Sequence, residues 1–175
     1  QAKELDRLLL GYTTKESQWK GTTIVAPVDR MKGVKGRKHW NCSIELREDA
    51  GIKTVIHELL HARSASRYEA SEYLRWKNIE EASVELFAQE ICIRNGVGYE
   101  RSYSAIVSSL ERIRNILRSY EDPYDFAKAL FEVDMDERYD WLRKRAELLV
   151  SRGVLRAHNA KILIDSIEVF GRKDK

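Results

Sequence analysis

The chain has 175 residues, 43% hydrophobic and 34% charged, with 31 basic and 28 acidic side chains and a net charge of +3. That length supports one compact domain with a substantial core. No run approaches the roughly 18 uninterrupted apolar residues of a bilayer span, and the near-balanced charge argues against a domain that lives on nucleic acid.

In chain order, Leu5, Leu8 and Leu9 recur at helical spacing and predict a short helix over the first ten residues. Residues 21–28, GTTIVAPV, read as a strand in which Pro27 limits central pairing. MKGVKGRKH at 31–39 sets Gly33 and Gly36 among lysines and predicts an exposed turn. Residues 41–48, NCSIELRE, alternate polar and apolar as a half-buried strand does.

From Gly51 onward the period changes to about 3.6. Helices are expected over 52–65, 68–75, 79–94, 103–118, 123–131, 136–151 and 155–169, with breaks at Asn95-Gly96, Asp122-Pro123 and Gly153. The fold class predicted is α+β: one domain over 1–175, with a β-rich part at 1–50 and a helical part at 51–175. Cys42 and Cys92, fifty residues apart, match neither a C-x-x-C pair nor a disulfide framework, and read as two core thiols. No signal peptide is visible, and the start at Gln1 rather than a methionine reads as a mature form or an excised domain.

The chemistry concentrates in TVIHELLHARS, residues 54–64. On a helix, residues four apart stand about 40° apart around the axis, so His57 and His61 project side by side. Ile52, Val55, Ile56, Leu59 and Leu60 form a separate apolar stripe, which predicts one face docked into a core and the other left for chemistry. The pattern is H-E-x-x-H: two imidazoles to hold zinc, and Glu58 positioned as general base toward the bound water.

Catalytic zinc takes three protein ligands and one open position, so a third ligand is required. The extended motif with a third histidine fails, because Ser64 stands at its glycine and Arg67 at its histidine. His39, in the basic turn, and His158, in the last helix, read as ordinary polar residues. Glu81, twenty residues beyond His61 in NIEEASVELFAQEI, is the better candidate, with Glu85 one turn later as an outer acceptor for a ligand's ring N–H and Glu80 in reserve.

HELLH at 57–61 followed by EASVE at 81–85 resembles the gluzincin metallopeptidases, the thermolysin-like clan, over residues 54–91. Glu85 stands where that clan usually has an aspartate, and the chain is far smaller than those enzymes. More loosely, the chain is similar to the compact zincin-like domains of phage minor head proteins and bacterial polymorphic proteins; with no signal peptide or membrane span visible, a cytoplasmic chain or part of a larger phage or bacterial polypeptide is expected. The resemblance implies a zincin-like fold and one zinc ion per chain on His57, His61 and Glu81. It also implies endopeptidase activity on a protein or peptide substrate, in which Glu58 takes a proton from the zinc-bound water and passes it to the leaving amine.

By the same analogy Tyr99, Arg101, Tyr103 and His158 are candidate oxyanion donors, none of them assigned. The strand at 41–48 is expected to offer the sheet edge along which a substrate adds. A catalytically silent zincin scaffold that binds metal or a partner is the alternative, and it leaves Glu58 without a task. A nucleic-acid face built on Arg143, Lys144, Arg145, Arg152, Arg156 and Lys161 is weakened by the acidic residues between them. Neither nucleic acid nor membrane is expected as a partner.

Overall fold

The computed structural model describes residues 1–117 and 122–171. The elements are α1 (Ala2–Leu9), β1 (Thr23–Ala26), β2 (Gly36–Lys38), β3 (Ile44–Arg47), α2 (Ile52–Ser64), α3 (Ala70–Arg94), α4 (Ser104–Leu117), α5 (Pro123–Glu132), α6 (Arg138–Ser151) and α7 (Ala157–Glu168). The class is mixed α+β. Two compact units form: Gln1–Arg67 with Ala88–Arg101, and Tyr68–Phe87 with the residues from Ser102 onward. Among the described residues, no helix is long and apolar enough to cross a membrane.

In the first unit the sheet order is β1-β3-β2, with β1 parallel and β2 antiparallel to β3. α2 packs on β2 and β3, and α1 packs on α2. Alternation along β3 sends Ile44 and Leu46 to one face and Glu45 to the other. Glu45 is nonetheless buried, with His39 Nε2 3.1 Å from its Oε2 and Arg30 3.4 Å from its Oε1. That contact explains His39 as a partner of a buried carboxylate.

Two expectations fail here. The strand expected over 41–48 is the central strand β3, paired on both sides, so it offers no edge; the edges are β1 and β2. The expected turn over 31–39 turns at Gly33 but then enters β2 at Gly36. Glycine is needed there by packing: a Cβ on Gly36 would lie 2.7 Å from Thr54 Cγ2 and 2.9 Å from Glu58 Cγ.

α2 also departs from its expected two-faced form. Val55, Ile56, Leu59 and Leu60 are buried, but so are His57, Glu58, His61, Arg63 and Ser64, while Ile52 is only half-buried. Arg63 at the end of the helix donates to the Lys15 carbonyl at 2.9 Å and to Asp6 Oδ1 at 2.7 Å, tying α1 and its following loop to α2. Cys42 and Cys92 are buried thiols outside any disulfide, as two core thiols should be.

The residues expected as two helices, 68–75 and 79–94, belong to the single helix α3, of which the part up to Phe87 belongs to the second unit. No glycine or proline stands between Tyr68 and Asn95, so the polar Lys77-Asn78 pair does not interrupt it. α3 ends at Arg94 because Gly96 takes φ +63, letting Val97 N–H bond back to the Cys92 carbonyl at 2.9 Å. α5 starts where Asp122 accepts the Tyr124 N–H at 2.9 Å and Pro123 fills the first turn. The helix expected over 103–118 is observed as Ser104–Leu117, and its last expected residue lies outside the described residues. The helix expected over 136–151 opens with a 3-10 turn, Met135–Glu137, before α6, and the one expected over 155–169 is α7.

α4, α6 and α7 pack on one another, and Phe87 stacks obliquely on Tyr124 and Phe131. Arg138 is fully buried at the end of α5, where helix carbonyls lack intrahelical partners. It donates from Nε to the Leu130 and Val133 carbonyls, both at 3.0 Å, and from a terminal nitrogen to the Phe131 carbonyl at 2.9 Å. Its other terminal nitrogen pairs with the fully buried Glu80 carboxylate.

Candidate metal centre

On α2, the i,i+4 spacing brings His57 Nε2 and His61 Nε2 to 3.0 Å, with ring centroids 4.6 Å apart and planes at 75°. Two zinc-bound imidazole nitrogens, each about 2.0–2.1 Å from the ion in tetrahedral geometry, stand ~3.3 Å apart. The pair is therefore close to the separation at which both nitrogens address one ion. Neither ring reaches solvent appreciably, at 6% and 5% exposure. Glu58 follows His57 and is turned toward β2: a Cβ on Gly36 would lie 2.8 Å from its Oε1. The glutamate is thus seated on the backbone of an edge strand.

On α3, Glu80 and Glu81 are adjacent and treated differently. Glu80 is held by Arg138. Glu81, also buried, accepts the Tyr73 hydroxyl at Oε1 over 2.5 Å. Burial pushes the Tyr73 phenol far above its usual pKa, and the nearby charge of Glu81 and its hydrogen bond push in the same direction. Glu85, one turn beyond, is fully buried and accepts the Ser102 backbone N–H at 3.2 Å.

One ring nitrogen from each of His57 and His61 and one carboxylate oxygen of Glu81 lie within 4.8 Å of one another, and all three residues are buried. Two imidazoles and a carboxylate are a donor set suited to zinc and neighbouring divalent metals. Glu80, the reserve ligand, does not belong to this group.

Of the candidate oxyanion donors, Arg101, Tyr103 and His158 are exposed and Tyr99 is half-buried. Tyr73 went unnoticed in the sequence. Its eight-residue distance from Glu81 is beyond the i,i+3 and i,i+4 spacings at which helical side chains ordinarily meet, so pattern alone does not mark it. Arg138, 58 positions from Glu80, carries no sequence signal of its partner either. Searched against family models, curated proteins and solved structures, the chain matches none.

Proposed function

We propose that this chain is a zinc-dependent metallopeptidase with a zincin-like fold, in which His57, His61 and Glu81 hold the ion and Glu58 is the general base. The observation that carries this is the buried group of two imidazoles and one carboxylate, with a further buried carboxylate, Glu58, following the first histidine in the sequence. A structural metal site has no use for that further carboxylate. When bound, the ion lowers the pKa of water at the open position and polarises the scissile carbonyl. Glu58 accepts the proton of the attacking water and returns it to the leaving amine. This reading groups the site with the gluzincins.

Glu85 has a supporting role as acceptor for a ring N–H of a ligating histidine. Its full burial supports this, since a carboxylate withdrawn from water is kept there only by hydrogen-bonding partners. The substrate is a protein or peptide. Its strand adds to β2 rather than β3, because β2 is the edge strand and its Gly36 lies against Glu58.

A second reading is favoured by one observation. His57, Glu58 and His61 are all at most 6% exposed, which suits a scaffold that holds metal or a partner without turnover. Metal analysis of the purified chain together with digestion of an unbiased peptide library separates the two. One zinc per chain with cleavage that disappears in Glu58→Gln is the expected result. Zinc without cleavage selects the scaffold, and a folded chain that takes up no metal defeats both readings.

A further inference from the structure

Tyr73 and Glu81 sit on the same helix, and eight residues of α-helix rise about 12 Å. Their side chains must reach toward each other along the axis to meet, and they do: the Tyr73 hydroxyl donates to Glu81 Oε1 at 2.5 Å. A contact over that span fixes the torsions of both side chains, so the carboxylate is presented in one orientation.

The donor's chemistry matters as much as the contact. Glu80, one residue earlier, is met by a guanidinium, whose charge opposes that of the carboxylate. A phenol orients Glu81 while leaving it an anion. The same helix thus carries one carboxylate closed by a cation and one aimed by a neutral donor.

We propose that Tyr73 is a positioning residue for the metal centre: by occupying Oε1 of Glu81 it keeps that carboxylate a one-oxygen ligand in a fixed orientation. This rests on the reading of His57, His61 and Glu81 as a metal site. The consequence is a coordination shell with room for water and substrate carbonyl, since a two-oxygen carboxylate would take up the position the reaction needs. Tyr73 acts through Glu81 and touches neither substrate nor reacting atoms.

The test uses the full chain and Tyr73→Phe, which removes the hydroxyl and keeps the ring. Zinc affinity is measured by competition with a chromogenic chelator, and coordination number by the visible spectrum of the cobalt(II)-loaded chain. Tyr73→Phe should bind zinc about 10–100-fold more weakly, the usual effect of losing an outer partner. Its cobalt spectrum should shift toward that of a higher-coordinate ion. In a Glu81→Ala background, Tyr73→Phe should cause no further loss of affinity, because its effect runs through Glu81.

Equal affinity and an equal spectrum in Tyr73→Phe overturn the proposal while leaving the metal site standing. A fall in kcat with affinity and spectrum unchanged overturns it in favour of a role on the substrate. If Tyr73→Phe does not fold, the cobalt spectrum of the native chain decides, a four-coordinate signature supporting the one-oxygen ligand and a higher-coordinate one overturning it. A native chain that binds no metal removes the metal site itself, and this inference with it.

Discussion

Arg138 in the second unit and the histidine pair in the first are both polar groups withdrawn from water, and they differ in how their charge is met. Arg138 brings together opposites: its guanidinium donates to three α5-end carbonyls and to the Glu80 carboxylate. Such a cluster is closed, and its use is to join α5 to α3 inside the helical unit. The histidines bring together likes, two ring nitrogens at 3.0 Å on adjacent turns of α2. Two imidazolium ions at that distance would repel strongly, and the contact joins like groups whose donor and acceptor roles depend on the ring tautomers. Complementary charges complete one another, whereas under the proposed reading the two like nitrogens are brought together by a shared cation.

The largest expected effect tests the open half of that contrast. Glu58→Gln should retain one zinc per chain and lose about 10²–10⁴ in kcat, the range general acid–base groups supply. Rate measurements on a cleaved library peptide check this, and native activity in the variant would remove Glu58 as the base. Next comes the closed half. Arg138→Met leaves Glu80 buried without its cation, and breaking a buried pair on one side costs about 3–5 kcal/mol. Urea denaturation should show that loss, whereas Arg138→Met combined with Glu80→Met should recover much of it. A double variant no more stable than the single would show that the pair is not the unit of stability.

The adjacent glutamates of α3 sharpen the comparison further, because one belongs to each kind of cluster. Glu81→Ala should weaken zinc retention by at least tenfold on the scale of ligand and outer-partner losses. Glu80→Ala should lower the unfolding midpoint while the folded protein keeps its zinc. Metal content after dialysis, read beside denaturation curves, separates the two outcomes. The reverse ranking would transfer the ligand role to Glu80.

Sequence pattern reached the open cluster more readily than the closed one, for a physical reason. His57, Glu58 and His61 are local, held within five residues by helical geometry, and the break in hydrophobic period at Gly51 already marks their helix. Glu80 and Arg138 meet across 58 positions, and nothing local to either residue names the other. The burial of α2 on every side was hidden for the same reason, since its polar residues are covered by tertiary packing that a helical wheel does not contain. Strand β2 was hidden by composition: Gly-Arg-Lys has little strand propensity, and β3 supplies the pairing that overrides it. Once β2 is inserted, β3 becomes central, which is why a correct strand assignment led to the wrong sheet edge.

Gly36 is where that hidden strand meets the legible motif, and it yields the smallest of the expected effects. A Cβ there would stand 2.7 Å from Thr54 Cγ2, 2.8 Å from Glu58 Oε1 and 2.9 Å from Glu58 Cγ. The carboxylate oxygen is the end of a flexible side chain and can swing away. Thr54 is β-branched and stiff, and Glu58 Cγ is held close to the helix, so neither yields cheaply. Gly36→Ala must therefore push β2 off α2 or turn Glu58 to another rotamer. Overpacking of this kind costs about 1–3 kcal/mol, read as a lower denaturation midpoint. Because the three nearest atoms belong to Thr54 and Glu58 rather than to His57 or His61, zinc content should be unchanged while kcat falls with the displacement of Glu58. Loss of zinc together with rate would mean that β2 supports the histidines instead, and unchanged stability and rate would mean that the glutamate does not depend on the strand beneath it.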